Sequence, residues 1–270
     1  MAEADIWQTI EDETKLYDSL QLSDVVDYEK FYLYSLITHS TAIEGSTLTE
    51  LDTQLLFDEG ITAKGKPLVH HLMNEDLRQA YFYAIDRAKE QTPLSPAFLK
   101  ELNALVMRTT GSVNQVIAGT FDSRKGDYRL CGVTAGYGGK SYMNYAKVPD
   151  KVEALCKELT KRLGECKTLK EKYYLSFEAH LNLVTIHPWV DGNGRTSRLL
   201  MNYLQFYYQI IPVKIYKEDK AEYITSLIES REQEDSAPFL AFMEKQLLKM
   251  LREEIKNYRD GEEKDMKLMF

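Results

Sequence analysis

Residues 187–198 read His187-Pro188-Trp189-Val190-Asp191-Gly192-Asn193-Gly194-Arg195-Thr196-Ser197-Arg198 and divide two segments with strong helical periodicity. Proline at 188 disfavours continuation of a helix through this point, and the Gly-Asn-Gly run predicts a tight turn. Apolar residues recur at spacings of three and four on both sides: Tyr174, Phe177, Leu181 and Val184 before the stretch, and Leu199, Leu200, Tyr203, Leu204 and Tyr207 after it. The stretch is therefore expected to be a loop that joins two buried helices.

The turn in this loop has the features of an anion-binding site. Its glycines allow backbone N–H groups to point into a concavity, and the N-terminus of the following helix adds unpaired N–H donors with positive partial charge. Arg195 and Arg198 lie three residues apart, so both guanidinium groups face the same side of the first helical turns. Two guanidinium groups beside such a turn are suited to a polyphosphate.

Two further side chains of the loop add chemistry to this site. The carboxylate of Asp191 would repel phosphates unless a divalent cation lay between them, which predicts a Mg²⁺ ligand. His187 is the one side chain of the loop that can take a proton near neutral pH, since free histidine has a pKa near ~6.5. A phosphate cradle, a metal and a general base predict transfer of a nucleotide or phosphoryl group. The P-loop pattern GxxxxGK[ST] does not occur in the chain.

The loop closely resembles the signature of the Fic family, H-x-F-x-[DE]-G-N-G-R-x-x-R. Every fixed position matches except the aromatic one, where Trp189 replaces phenylalanine. The resemblance covers about Ser95 to Leu247. It implies an all-α Fic fold, a helical bundle with a small β-hairpin flap, and transfer of AMP from ATP to a hydroxyl side chain of a target protein with release of pyrophosphate.

The resemblance also implies a role for each residue of the loop. His187 would be the base that deprotonates the target hydroxyl, and Asp191 would hold Mg²⁺ on the α- and β-phosphates. Arg198 would bind the γ-phosphate. The anion hole would be formed by Gly192, Asn193, Gly194 and Arg195.

A glycine-rich segment upstream is assigned in the same way. Residues 120–148 are short of helix formers and carry Gly136-Tyr137-Gly138-Gly139 between strand-like residues, which predicts an irregular β-hairpin. It resembles the family's target-binding flap, at about residues 127–147, whose residues Gly136, Tyr137 and Gly138 would cover the nucleotide. Tyr223 stands where the family has a tyrosine that lines the adenosine. Arg231 stands where some relatives have asparagine near the adenine, which leaves the base preference open.

A second motif, Ser40-Thr41-Ala42-Ile43-Glu44-Gly45, lies far upstream. It resembles the inhibitory helix of the family, [ST]-x-x-x-E-[GN], so Ser40, Glu44 and Gly45 are its candidate residues. A glutamate near a helix C-terminus opposes the helix dipole, and local stabilisation therefore does not explain it. The resemblance implies that Glu44 competes with the γ-phosphate for Arg198 and that the enzyme is autoinhibited by its own chain.

Composition restricts the other classes of function. The chain has 270 residues, a formal net charge of −8 and a pI near 5.3, unlike the basic domains that bind nucleic acid. No signal peptide or membrane span is recognisable, and three cysteines without CxxC spacing argue against a disulfide framework or a zinc site. We expect a cytoplasmic protein whose partners are ATP and a protein target, with neither nucleic acid nor membrane. A homodimer is common in the family, but no residue identifies an interface.

The remaining sequence predicts how the chain is organised. Only 14 glycines and 7 prolines indicate a mostly helical protein, with eight or more helices. Capping boxes are expected at Thr47/Glu50 and Thr168/Glu171, a helix start at Ser95-Pro96 and a helix end at Gly60. Three parts follow: an N-terminal helical segment, 1–92, with the inhibitory helix at about 28–45; a catalytic core, 93–250; and a C-terminal helix end with a frayed tail, 251–270.

Two alternatives stay open at this stage. The first is another reaction on the same fold: phosphorylation, transfer of UMP or phosphocholine, or removal of AMP. The second is a non-catalytic nucleotide-binding module that binds a partner through its helices. The intact His187 argues against the second alternative, and the intact Gly194 and Arg195 argue against the kinase-like variant of the first.

Overall fold

The structure is a computed structural model that describes residues 6–22, 27–134 and 140–268, with side chains described up to residue 260. Within these residues the chain forms ten α-helices and one two-stranded antiparallel sheet. The helices are α1 Ile6–Ser19, α2 Tyr28–Ile43, α3 Glu50–Glu59, α4 Leu68–Lys89, α5 Pro96–Val106, α6 Val148–Leu163, α7 Leu169–Ile186, α8 Asn193–Tyr207, α9 Lys220–Gln233 and α10 Ala237–Leu268. The predicted fold class, a helical bundle with a small hairpin, is confirmed.

Three of the four helix-end signals predicted from the sequence are present in the structure. The Ser95 hydroxyl accepts the Phe98 N–H at the start of α5, Thr168 and Glu171 form the expected capping box of α7, and Gly60 ends α3 in a left-handed conformation. The predicted box at Thr47/Glu50 is wrong, because α3 is capped by Thr49 and Asp52.

The reason for the shift lies in tertiary partners. The backbone N–H of Thr47 donates to His70 Nδ1 at 3.2 Å. The Glu50 carboxylate accepts the Ser35 hydroxyl at 2.6 Å and pairs with His39. Both members of the predicted box are therefore engaged by α2 and α4, and the next Thr-x-x-acid pattern takes the capping role.

The regular strands lie just before the predicted flap. They are β1 Val113–Val116 and β2 Gly119–Asp122, with Val113 opposite Asp122. Between residues 127 and 147, the described part of the flap has an antiparallel bridge between Thr134 and Ser141 and a hydrogen bond from Tyr142 N–H to the Val133 carbonyl at 3.0 Å. The four-residue strands of the sheet are too short to give a clear period-two pattern. At the other end, α10 continues to Leu268, through most of the segment expected to fray.

The core is built around α7 and α8, the two helices that flank the loop 187–192. Leu199, Leu200, Tyr203 and Leu204 of α8 have no exposed surface, and Trp189 of the loop is also fully buried. The Trp189 indole N–H donates to the Gly126 carbonyl at 3.0 Å. Burial of a tryptophan removes roughly 150–250 Å² from water, so this ring fixes the loop against the start of the flap.

Helix α2 is part of this core. Eleven of its sixteen residues, from Tyr32 to Ile43, are buried, and it packs against α4 and α8. The C-terminal end of α2 thereby reaches the N-terminus of α8, which lies far from it in sequence. None of the described helices is long and apolar enough to cross a membrane.

Candidate active site

The loop between α7 and α8 is held open by two residues with left-handed backbone conformations. His187 ends α7 with φ of 52°, and Gly192 precedes α8 with φ of 79°. A Cβ on Gly192 would lie 2.8 Å from the Asn103 side-chain amide nitrogen and 2.8 Å from the Met107 sulfur, so a larger residue would force these side chains to move. The Asn193 side chain closes the loop by accepting the Trp189 N–H at 3.1 Å and donating to the Trp189 carbonyl at 2.9 Å.

His187 is held in the tautomer that a base needs. Its Nδ1 lies 3.2 Å from the Val184 carbonyl, which can only accept, so the proton resides on Nδ1 and the lone pair on Nε2. The Tyr142 ring stacks on the imidazole with ring centres 3.8 Å apart and an angle of 16°. Tyr142 in turn contacts the guanidinium of Arg231, whose carbon lies 4.9 Å from the phenol ring centre.

The protonation state of His187 follows from this environment. Burial lowers the pKa of His187 to about 4, with the Val184 carbonyl opposing; Arg129 and Arg231 add to the decrease, and Glu44 opposes it. The imidazole is therefore neutral, and able to accept a proton, well below neutral pH. The expectation of an ordinary histidine near ~6.5 thus needs correction for this chain, because the ring is buried beside two arginines.

The two arginines of the loop have different surroundings, although each is only 3% exposed. Arg195 makes three long contacts: 3.4 Å to the Val106 carbonyl, 3.2 Å to the Met107 sulfur and 3.4 Å to Asp191 Oδ1, and its Nε has no partner. Arg198 uses all three of its nitrogens. Nε donates to the Ser40 hydroxyl at 2.8 Å, Nη2 to the Ser40 carbonyl at 2.9 Å and to Glu44 at 2.7 Å, and Nη1 to the Tyr223 hydroxyl at 3.3 Å.

Glu44 occupies the space in front of the α8 N-terminus. A Cβ added to Gly194 would overlap Glu44 Oε1, so the carboxylate lies directly against this backbone. Burial alone would raise the pKa of Glu44, but Arg198, and at longer range Arg195 and Lys220, lower it below its ordinary value. The carboxylate is therefore an anion placed where a helix N-terminus and two arginines attract one. A third of its side chain, 34%, stays exposed.

Asp191 is the exposed carboxylate of the loop. Its side chain is 67% exposed, and its Oδ1 accepts the Gly192 N–H at 2.6 Å. No group of three or more His, Cys, Asp or Glu side chains suited to a metal occurs among the described residues. A single exposed carboxylate beside an anion site fits Mg²⁺, which is commonly held by one or two carboxylates together with substrate phosphates.

Tyr223 and Gly45 are two further predicted site residues that the structure describes. Tyr223 is only 1% exposed, and its hydroxyl lies between Arg198 and His180 Nε2, at 2.9 Å from the latter. Its ring supports the arginine in this structure, and direct contact with a nucleotide stays a prediction. Gly45 follows α2 with φ of 100°. The predicted residues Gly136, Tyr137 and Gly138 lie outside the described residues.

Sequence reasoning missed Arg129 and Tyr142. Arg129 has no exposed surface and donates to the carbonyls of His187, Cys131 and Met143. No sequence pattern marks it, because all three acceptors belong to the backbone. Tyr142 was assigned only to the hairpin; its contact with His187 depends on how the flap folds back over the loop.

In this helical bundle a neutral histidine, an exposed carboxylate and two buried arginines lie around one helix N-terminus, an arrangement suited to a phosphorylated ligand. The sequence model of the Fic/DOC family matches residues 93–205. The chain is also 29% identical over 203 residues to protein adenylyltransferase fic-1 of Caenorhabditis elegans, and 30% identical over 211 residues to protein adenylyltransferase Fic of Drosophila melanogaster. The protein belongs to the Fic family.

These matches cover most of this chain but only part of the relatives. They span 74% and 77% of this chain, against 36% and 39% of the two adenylyltransferases. The whole bundle resembles that of a Fic domain containing signaling protein from Bacteroides thetaiotaomicron, with a TM-score of 0.77 and 22% identity over 92% of this chain and 97% of the other. At this identity the likeness shows the fold.

Proposed function

We propose that this protein is an adenylyltransferase that transfers AMP from ATP to a hydroxyl side chain of a target protein. The observation that carries the proposal is the placement of a neutral His187, with its Nε2 lone pair free, beside the helix N-terminus that holds Arg195 and Arg198. The likeness to curated adenylyltransferases over three quarters of the chain supports the choice of reaction.

The reaction assigns one task to each part of the loop. Nε2 of His187 takes the proton of the target hydroxyl, whose oxygen forms a bond to the α-phosphorus of ATP. The bond from the α-phosphorus to the bridging oxygen breaks, and pyrophosphate leaves with the electron pair. Backbone N–H groups of Gly192, Asn193 and Gly194, together with Arg195, receive phosphate oxygens, and Arg198 binds the γ-phosphate. The side chain of Asn193 is already used to close the loop, so its contribution comes from the backbone.

Mg²⁺ is the metal that this donor set fits. Asp191 would hold it together with the phosphates, because this carboxylate is exposed and its orientation is fixed by the Gly192 N–H. When bound, the metal would neutralise charge that develops on the pyrophosphate.

Autoinhibition by Glu44 is part of the proposal. Its contact with Arg198 and its position against Gly194 support this, because Arg198 is the residue proposed to bind the γ-phosphate. Ser40 reinforces this by taking two further donors of Arg198. Gly45 lets the chain leave the helix directly after the glutamate, through its positive φ. ATP that binds beside Glu44 would have its phosphates displaced, which costs rate more than affinity.

The target would bind along the flap. The bridge between Thr134 and Ser141 gives the flap an edge of backbone groups to which an extended segment of another protein can pair. Recognition through backbone groups makes little demand on target sequence. Gly136, Tyr137 and Gly138 would cover the nucleotide from the same flap.

The proposed division of the chain follows these roles. An N-terminal segment, 1–92, carries the inhibitory helix at about 28–45; the core, 93–250, carries the loop and the flap; and residues 251–270 form the C-terminal end. The start of the family match at residue 93 supports the first boundary.

Incorporation of label from each of the four nucleoside triphosphates tests the function. A Glu44→Gly variant is incubated with Mg²⁺ and each α-³²P-labelled nucleotide, and label in protein is counted. We expect incorporation from ATP above the other three and none from γ-³²P-ATP. The control is Glu44→Gly combined with His187→Ala. Label from γ-³²P-ATP would instead indicate phosphorylation. No label from any nucleotide would contradict nucleotide transfer and leave transfer of phosphocholine, removal of AMP and a binding module as the alternatives.

A further inference from the structure

In the part of the chain that the structure describes, Arg129 is a fully buried cation without a carboxylate partner. It has no exposed surface, and none of the ion pairs among the described residues involves it. Burial of a charge is costly unless its donors are satisfied. All three guanidinium nitrogens donate to backbone carbonyls: Nε to His187 at 2.8 Å, Nη1 to Cys131 at 2.7 Å and Nη2 to Met143 at 2.7 Å.

These three carbonyls belong to different parts of the site. Cys131 lies on the first arm of the flap and Met143 on the second, and the arms are further joined where the Tyr142 N–H donates to the Val133 carbonyl. The third carbonyl belongs to His187, the proposed base, at the start of the loop between α7 and α8. The backbone N–H of Arg129 adds a fourth bond, to the Pro188 carbonyl at 3.0 Å. One residue therefore connects both arms of the flap to the catalytic loop.

The bond to the His187 carbonyl acts at a strained position. A left-handed φ of 52° is uncommon for a residue other than glycine, and it persists only where the surroundings fix it. The same residue is covered by the Tyr142 ring, next to Met143 in the flap. The Arg129 guanidinium therefore holds both the backbone of His187 and, through Met143, the Tyr142 ring that stacks on His187. Its loss would release both.

We infer that Arg129 is a positioning residue, which fixes the distance and orientation of the flap relative to His187 and so aligns a target hydroxyl with Nε2. The inference rests on the proposed function for its catalytic consequence, whereas the positioning itself concerns the free protein. The requirement is strict, because a displacement of about 1 Å at reacting groups can cost roughly 100-fold in rate.

The charged and titratable groups around His187 make this role separable from packing. Glu44 acts on it from α2, Arg129 from the flap and Arg231 from α9, while Tyr142 covers its ring. Of these, Arg129 and Arg231 lower the pKa of His187, although burial is the larger cause, and Glu44 raises it. Removal of the Arg129 charge should therefore raise the titration midpoint of His187, which a neutral packing residue would not do.

Two substitutions separate charge from geometry, each compared with and without Glu44→Gly in the full chain. Arg129→Lys keeps the charge but cannot reach three carbonyls with one ammonium group. Arg129→Met keeps length and removes both charge and donors. Arg78→Met is the control, since Arg78 is also largely buried but pairs with Glu75 of its own helix, α4.

Transfer of AMP is measured together with ATP affinity. In the Glu44→Gly background we expect a rate loss of about tenfold for Arg129→Lys and about 100-fold for Arg129→Met, with ATP affinity within threefold of the parent. Arg78→Met should leave both unchanged. An equal loss of rate and of ATP affinity in the Arg129 variants would contradict positioning.

Two readouts without activity test the positioning directly. Histidine ring NMR signals should show a raised His187 midpoint in Arg129→Met and a parental one in Arg129→Lys. Amide hydrogen exchange should accelerate at residues 131–134 and 141–143 in both variants, with the exchange of α7 and α8 unchanged. If His187 titrates as in the parent in Arg129→Met and exchange stays slow, Arg129 does not position the site.

The two proposals fail in different ways. If Glu44→Gly transfers no nucleotide, the proposed function fails, while titration and exchange still decide whether Arg129 fixes the flap against His187. If Glu44→Gly is active and both Arg129 variants keep its rate, the inference fails and the function stands. If Arg129→Met does not fold, the transfer rate, the ATP affinity and the amide exchange of Arg129→Lys still test the inference.

Discussion

Arg195 and Arg198 lie three residues apart on one helix, but they differ in the number and length of their hydrogen bonds. Arg195 has three contacts of 3.2–3.4 Å and an unpartnered Nε, whereas Arg198 has contacts of 2.7–3.3 Å from all three nitrogens. Three of the four bonds of Arg198 go to Ser40 and Glu44 of α2. In the proposed anion site, Arg195 thus makes only long contacts, whereas Arg198 is occupied by residues of the chain itself, Glu44 among them.

The largest expected effect tests whether activity still requires His187 once Arg198 has been released from Glu44. In a Glu44→Gly background, His187→Ala should lower AMP transfer by roughly 10²–10⁴-fold, because a positioned general base contributes about that much. ATP binding should stay within a few fold, since His187 does not belong to the phosphate cradle. Radiolabel incorporation and isothermal titration with ATP measure the two quantities. A His187→Ala variant as active as its parent would remove His187 from the mechanism.

Much of this site could be predicted from sequence because its signals are local. The loop 187–198 contains its own base, turn and arginines, and the helices beside it have clear periodicity. The contact of Glu44 with Arg198 followed from the resemblance of a second motif, and the structure places the two atoms 2.7 Å apart.

The rest depended on neighbours distant in sequence. Arg129 binds backbone carbonyls, which no side-chain pattern encodes. The side chain of Asn193 closes the loop, although its position in the motif suggested a role toward the anion. Thr47 and Glu50 have the spacing of a capping box but are drawn to His70, Ser35 and His39. The pKa of His187 follows from burial, which depends on how the flap packs.

The second prediction concerns the release of Arg198 from Glu44. Glu44→Gly removes the carboxylate from Arg198, and a charge-assisted hydrogen bond contributes about 1.5–3 kcal/mol, or roughly one to two orders of magnitude in population. Partial exposure of Glu44 reduces this figure, so we expect an increase of about tenfold or more in self-modification by labelled ATP. Glu59→Gly, at the end of α3, is the control. Equal rates for Glu44→Gly and the parent would show that the pair does not restrain the enzyme.

A third, smaller effect concerns the pKa of His187. Glu44 raises this pKa and opposes the dominant effect of burial, so Glu44→Gly should lower the midpoint below about 4. A base works only above its pKa, and the acidic limb of the rate profile should move to lower pH. NMR titration of the nucleotide-free protein measures the shift without requiring turnover. A midpoint that rises on removal of Glu44 would show that this carboxylate does not stabilise the protonated imidazole.

The smallest effect tests the one partner of Arg198 that does not belong to α2. The Tyr223 hydroxyl accepts from Arg198 Nη1 and lies 2.9 Å from His180 Nε2, and His180 Nδ1 has no hydrogen-bond partner among the described residues. Burial lowers the pKa of His180 far below its ordinary value, and Arg198 adds to this, so the neutral ring accepts the tyrosine proton while the hydroxyl oxygen stays free for the arginine. In a Glu44→Gly background, Tyr223→Phe should therefore raise the KM for ATP by about two- to tenfold, the equivalent of a net hydrogen bond of roughly 0.5–1.5 kcal/mol.

Tyr203→Phe is the matched control for this last effect, because Tyr203 is also fully buried but donates its hydroxyl to the Thr92 carbonyl, away from the site. Both variants should lose about 1 kcal/mol of unfolding free energy in urea, since each loses one buried hydrogen bond. Only Tyr223→Phe should change the KM, because of the two tyrosine hydroxyls only that of Tyr223 contacts Arg198. If the two variants lose stability equally and neither changes the KM, the Tyr223 hydroxyl does not orient Arg198. Once Glu44 is gone, the arginine is then oriented by its bonds to Ser40 alone. In that case, movement of α2 out of the site would also release the arginine.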